Sequence, residues 1–138
     1  MTFPLPAQSS QEANQDYAKG QTPVVATSGN VAAGSATAIL AGVAGLTTYI
    51  TGFSITGAGA TGASVVTAVL SGLIGGISLA FNIAVPVGAA VGITPLVVNF
   101  AKPIPASAQN TAINLTLPSL GAGNTNACVS VWGFTAPN

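Results

Sequence analysis

Few residues in this chain could do chemistry, and the most suggestive of them are glycines. Gly57, Gly59 and Gly62 fall at the G-x-G-x-x-G spacing with which a strand-to-helix turn cradles a dinucleotide pyrophosphate. That chemistry needs a helix directly after the glycines and an acidic residue about twenty positions on, to hold the ribose. Here the glycines are followed by Ser64-Val65-Val66-Thr67, a strand-forming run, and no Asp or Glu occurs after Asp16. The segment also returns. Gly57-Ala58-Gly59-Ala60-Thr61-Gly62-Ala63 and Gly121-Ala122-Gly123-Asn124-Thr125-Asn126-Ala127 agree at five of seven positions, and the second lacks the third glycine. A turn used twice is read as a device for reversing the chain, and no cofactor is expected.

Other catalytic and binding constellations fail for equally simple reasons. The chain has no His and no Arg, and its only carboxylate side chains are Glu12 and Asp16, so the folded part lacks a general acid or base. Its many Ser and Thr residues have no base to activate them. A metal site needs clustered His, Cys or carboxylates, and the single Cys128 supplies neither that nor an intrachain disulfide. Cys128 is read as a small buried hydrophobe in a strand. Asn114-Leu115-Thr116 fits the glycosylation acceptor pattern, but it falls in a strand of a chain whose start, MTFPLPAQ, carries no secretory signal. Trp132, Tyr49 and Phe53 have faces that could stack on sugar rings or bases; on alternating strands, packing in the core is the preferred reading. The expectation is a protein that is not an enzyme and binds no metal.

Charge narrows the partners. Of 138 residues 3% are charged, against roughly 25% in an ordinary globular domain. Glu12, Asp16 and Lys19 lie in the first twenty residues, and Lys102 is the only charged side chain after them. Nucleic acid is held mainly by Lys and Arg on phosphates, and a polybasic membrane patch needs the same residues, so neither partner is expected. A net charge of zero favours association. The mean hydropathy is +0.67, and Ala63 to Phe81 is an uncharged run containing the Gly72-x-x-x-Gly76 spacing of packed membrane helices; Gly88-x-x-x-Gly92 follows. Against a membrane helix stand the strict alternation from Ile77 to Ile83, the Gly75-Gly76 break, Pro86 and Pro95, and the lack of flanking Lys or Arg. The protein is expected to stay where it is made or to leave as part of a larger object.

The elements that would position these residues are strands. Residues 1–23 are polar, contain three prolines and carry only Phe3, Leu5 and Tyr17 as apolar anchors. They read as an extended arm, long enough at about 70 Å to cross onto a neighbouring subunit, or equally as a disordered terminus, since chain ends are commonly loose unless tied down. From residue 24 to 138 the chain reads as one β domain. Strands are expected at 24–27, 36–40, 47–56, 64–71, 77–83, 91–100, 111–117 and 128–134, with 101–109 a loop. Tyr49, Thr51, Phe53 and Ile55 are assigned to one face of the third strand, and the stretch from Leu46 to Gly72 is read as a hairpin. Trp132 and Phe134 are set opposite Val129 and Val131. About eight short strands without a helix predict an all-β antiparallel sandwich of the jelly-roll kind. Its two related loops would place small uncharged tips, including Ala60, Thr61, Ala122 and Asn124, at one end of the domain. These four and the three arm anchors are the candidate assembly contacts.

The blocks that begin at Val25 and at Pro103 also resemble a known group. The T-Y-I-T-G-F strand (48–53), the G-A-G-A-T loop (57–61), the P-I-P-A-S-A loop (103–108) and the G-A-G-N-T-N-A loop (121–127) are similar to those of capsid decoration, or cement, proteins of tailed phages. The resemblance covers roughly residues 24–134. It implies a small β-sandwich, often a homotrimer, seated on the outside of an icosahedral shell and bound to the major capsid protein. The alternative is a tail-fibre or receptor-binding knob, in which Trp132 and loop asparagines would meet a host glycan.

Overall fold

The computed structural model describes residues 20–137, which form nine strands in two antiparallel sheets. In chain order these are β1 (Thr22–Thr27), β2 (Val31–Ala32), β3 (Ala36–Leu40), β4 (Leu46–Ala60), β5 (Ser64–Leu73), β6 (Ile77–Val85), β7 (Leu96–Pro105), β8 (Ile113–Leu117) and β9 (Gly123–Pro137). One sheet runs β1-β9-β4-β7, with β2 continuing the β1 edge along β9; the other runs β3-β8-β5-β6. That interleaving of early and late strands is the jelly roll. The expected fold class therefore holds, with the short β2 as a ninth strand. Residues 1–19, and with them Phe3, Leu5 and Tyr17, lie outside the described residues, while β1 takes in Thr22 and Pro23.

Period-two alternation builds the core. Ile113, Leu115 and Leu117 on β8 are fully buried, and Val129 and Val131 do the same from β9. Each such side chain contributes roughly 1.5–3 kcal/mol when removed from water. Phe53 on β4 bridges the sheets, meeting Phe81 of β6 edge-on at 5.0 Å between ring centroids and Phe100 of β7 at 6.1 Å.

Four local expectations change. The stretch from Leu46 to Gly72 is not a hairpin: β4 and β5 belong to different sheets, and the turn at Thr61–Ala63 carries the chain across the sandwich. A glycine loop between two alternating strands serves a crossing as well as a hairpin. The hairpin is β5–β6, turned by Gly75 and Gly76, both at positive φ. The assigned face of β4 is split by a bulge at Thr51, where pairing jumps from Ile50 to Gly52 against both neighbours. An extra residue reverses the alternation, so Ile50 joins Phe53 and Ile55 in the core and Tyr49 turns out. Finally, β7 begins after Pro95 and runs on through Pro103 and Pro105, where a loop was expected. It is an edge strand, where proline is tolerated. Asn99 pairs with Gly52 and Ile104 with Ile50, so residues 100–103 arch away opposite Thr51.

The first and last strands pair antiparallel, Thr22 opposite Thr135, so Gly20 and Pro137 meet at one end of the sandwich. The connections β2–β3, β4–β5, β6–β7 and β8–β9 gather at the other end.

Candidate functional site

The two related loops lie side by side at that second end. Each carries the chain from one sheet to the other, and their strand portions pair: Gly57 with Ala127, Ala58 with Asn126 and Ala60 with Gly123. Residues 57–60 and 123–127, expected as loop, are thus the ends of β4 and β9. The tips are fastened at one carbonyl, because the backbone N–H and the hydroxyl of Thr61 both donate to the Ala122 oxygen, at 2.9 and 3.0 Å. Two glycines permit this approach. Gly59 (φ +95°) faces the Asn124 carbonyl oxygen so closely that a Cβ would overlap it, and a Cβ on Gly123 (φ +114°) would stand 2.7 Å from the Thr61 methyl and 2.8 Å from the Gly59 oxygen. The G-x-G-x-x-G spacing therefore serves a backbone-to-backbone contact within a sandwich; no helix follows it.

A third segment, 86–95, completes this end and was not singled out by the sequence. Gly88 N–H donates to Ala60 O at 2.8 Å, Gly59 N–H to Val91 O at 3.2 Å, and Ile93 N–H to Gly57 O at 2.9 Å. Its signal was present in Pro86 and Pro95, which bracket a loop, while Gly88 and Gly92 fitted a membrane-helix spacing. It presents Val87, 56% exposed, and Val91, 46% exposed. On the β1 side, Asn30 Nδ2 donates to Asn126 Oδ1 at 2.9 Å, and Ala33 N–H to Thr125 O at 2.9 Å.

Thr61, Ala122 and Asn124 are exposed here and close together. Ala60 is not available: it is 1% exposed and belongs to the core. The loop end is uncharged throughout, and such a surface can be covered without desolvating an ion.

The outer face of the first sheet carries a different feature. Trp132, Tyr49 and Phe134 are half-buried there, whereas only Phe53 of the aromatics considered for stacking lies in the core. Tyr49 and Phe134 stack with centroids 4.8 Å apart and planes 17° from parallel. With Pro103 and Pro137 they line an open cleft of about 320 Å³. Trp132 covers Gly52, where a Cβ would come within 2.7 Å of its indole nitrogen. The opposition of Trp132 and Phe134 to Val129 and Val131 is as expected, since these two valines point into the core. Cys128 shares the outer face; it is half-buried, not buried, with Sγ 3.6 Å from Thr27 Oγ1.

Among the described residues no three His, Cys, Asp or Glu side chains come together, and no helix is long and apolar enough to cross a membrane. Asn114 sits in mid-strand on β8 with its Oδ1 buried and unpartnered among the described residues. No protein-family model matches the chain, and no curated protein matches it either.

Proposed function

We propose that this chain is a non-enzymatic structural protein of a phage particle, assembled in the host cytoplasm, that binds the outside of the icosahedral capsid and stabilises the assembled shell. The observation that carries this reading is the surface. Lys102 is the only charged side chain in residues 20–137, and the loop end offers Thr61, Ala122, Asn124, Val87 and Val91 on a hydrogen-bonded, pre-formed base. A rigid neutral surface of small side chains suits close packing against a lattice, because little entropy and no ionic hydration is lost on contact. Binding only the assembled shell stabilises it by mass action, in proportion to the number of copies bound. The contacts in this proposal are with the major capsid protein and with copies of the chain itself; it involves no nucleic acid, membrane or cofactor.

The test is made on purified particles. The protein is expected at high copy number on the shell, and particles stripped of it should lose their DNA at lower temperature. Ala122→Lys, which puts a charge on the loop end without touching the core, should weaken rebinding at least tenfold. Particles that lack the protein, or whose heat resistance is unchanged by its removal, would overturn the proposal. The Tyr49–Phe134 stack beside its open cleft favours a second reading, a receptor-binding knob for a surface glycan. Binding on a glycan array that Tyr49→Ala abolishes, with labelling at the tail, would select it.

A further inference from the structure

A two-sheet sandwich has four edges, and three of these are protected in recognisable ways. The β1–β2 edge is interrupted by Pro23 and by the break at Ser28–Asn30, where Gly29 has positive φ. The β3 edge is only five residues long. The β7 edge holds Lys102, Pro103 and Pro105 and arches away over residues 100–103. Short length, proline, lysine and bulges are the usual means of blocking strand addition. The fourth edge, β6, is long and holds no proline or lysine; the one irregularity in its pairing, between Leu70 and Leu73, falls on β5 opposite its first residues. It is nine residues of Ile-Ser-Leu-Ala-Phe-Asn-Ile-Ala-Val, paired on one side with β5 and, among the described residues, bonded through its backbone to nothing else. The Thr94–Leu96 segment stands off its second half and leaves a cleft of about 220 Å³.

Exposed apolar side chains collect around the same edge. Ile74 and Ile77 stand at its start and Val87 just past its end, each more than half exposed, and Val65 projects from the outer face of neighbouring β5 opposite Ala84. Leu79, Phe81 and Phe100 pack on the core from this side and remain partly open.

We infer that β6 is the edge through which two copies of this chain pair, antiparallel about a two-fold axis. The occupant follows from the edges themselves: the other three are blocked, so strand addition between copies joins β6 to β6. With the axis at Phe81, the middle of the strand, Leu79 lies opposite Ile83, Ile77 opposite Val85, and Ala80 opposite Asn82. Apolar side chains then meet on the inner face and small uncharged ones on the outer. The isolated bridge between Leu73 and Ala106 puts the end of β7, and Lys102 with it, at the Ile77 end, so the axis sends the two lysines to opposite ends. A nine-residue edge about 30 Å long, on a wall about 20 Å high, buries roughly 600 Å² per copy and about 1,200 Å² in all, enough for a stable interface. This two-fold pairing differs from the three-fold association that the decoration-protein resemblance implies, and it does not depend on binding to a capsid.

The experiment is the mass of the full chain in solution, by native mass spectrometry and light scattering. A two-chain species is expected. Ala80→Lys, which sets two ammonium groups across the axis on an exposed face, should weaken association at least tenfold, while Thr37→Lys on the β3 edge should leave it unchanged. A cross-link keeps the test sound if Ala80→Lys fails to fold. In a Cys128→Ser background, A80C copies mixed with N82C copies should oxidise to a disulfide joining one of each, since directly opposed residues are about 4.5–5.5 Å apart, within disulfide range. A single-chain mass, a three-chain species that Ala80→Lys leaves intact, or no mixed disulfide would overturn the inference.

Discussion

Residues in this protein matter chiefly through how little space they take. At Gly59 positive φ and the approach of the Asn124 carbonyl coincide, so Gly59→Ala adds backbone strain to a steric overlap. Each effect costs about 1–3 kcal/mol, and the variant should lose at least ~2 kcal/mol of unfolding free energy in urea. Gly62, three residues on, has open space around it and no positive φ, and Gly62→Ala should change stability by less than about 1 kcal/mol. Equal losses at the two sites would refute the assignment of the loop pair as a close backbone contact. The same contrast separates the candidate contact residues. In sequence Ala60 and Ala122 are equivalent, because their loops are near-copies. Packing makes one a core residue and the other a surface residue, since β4 turns inward at its last position.

The strands show what alternation can and cannot say. Ala36–Leu40 matches its predicted bounds, and β5, β6 and β8 differ from theirs by a few residues; the large apolar residues of β6 and β8 recur at period two without interruption, while β5 is marked by the turns at either end of it. Period two breaks at one inserted residue, so alternation alone misplaces the face of β4 at Thr51; Gly52 within the strand is the one local sign of the bulge. Which strands pair is carried by contacts far apart in sequence, so the crossing at Thr61–Ala63 was not legible, although the turn was. The loop 86–95 was hidden for the same reason, as its hydrogen bonds go to residues about thirty positions earlier. Deleting Thr51 should remove the bulge and leave the facing of Leu46–Ile50 unchanged, because Ile50 opposite Gly133 would then follow Gly52 opposite Trp132 in unbroken alternation. Circular dichroism and urea unfolding should then show a folded domain within about 2 kcal/mol of the parent, whereas deleting Ser54, which turns Phe53 out of the core, should cost at least ~3 kcal/mol or abolish folding.

For the whole molecule, the scarcity of charge predicts indifference to acid. Stability changes with pH only where folding changes the number of bound protons. Residues 20–137 contain no Asp, Glu or His, leaving Glu12, Asp16 and the chain-end carboxyl as the carboxylates of the chain. The unfolding free energy should therefore vary by less than about 1 kcal/mol between pH 4 and pH 7, and equally little with added salt. A loss of several kcal/mol on acidification would mean that those carboxylates are tied into the fold. The meeting of Gly20 and Pro137 at the end away from the loops has a mechanical consequence. Tension applied between the two chain ends would load the pairing of Thr22 with Thr135 first and then each rung of β1 on β9 in turn, so the sandwich would unzip one hydrogen bond at a time. Load entering through the loop end would instead run along β4, β5, β8 and β9 together, and the protein should bear far more force as a clamp than as a tether.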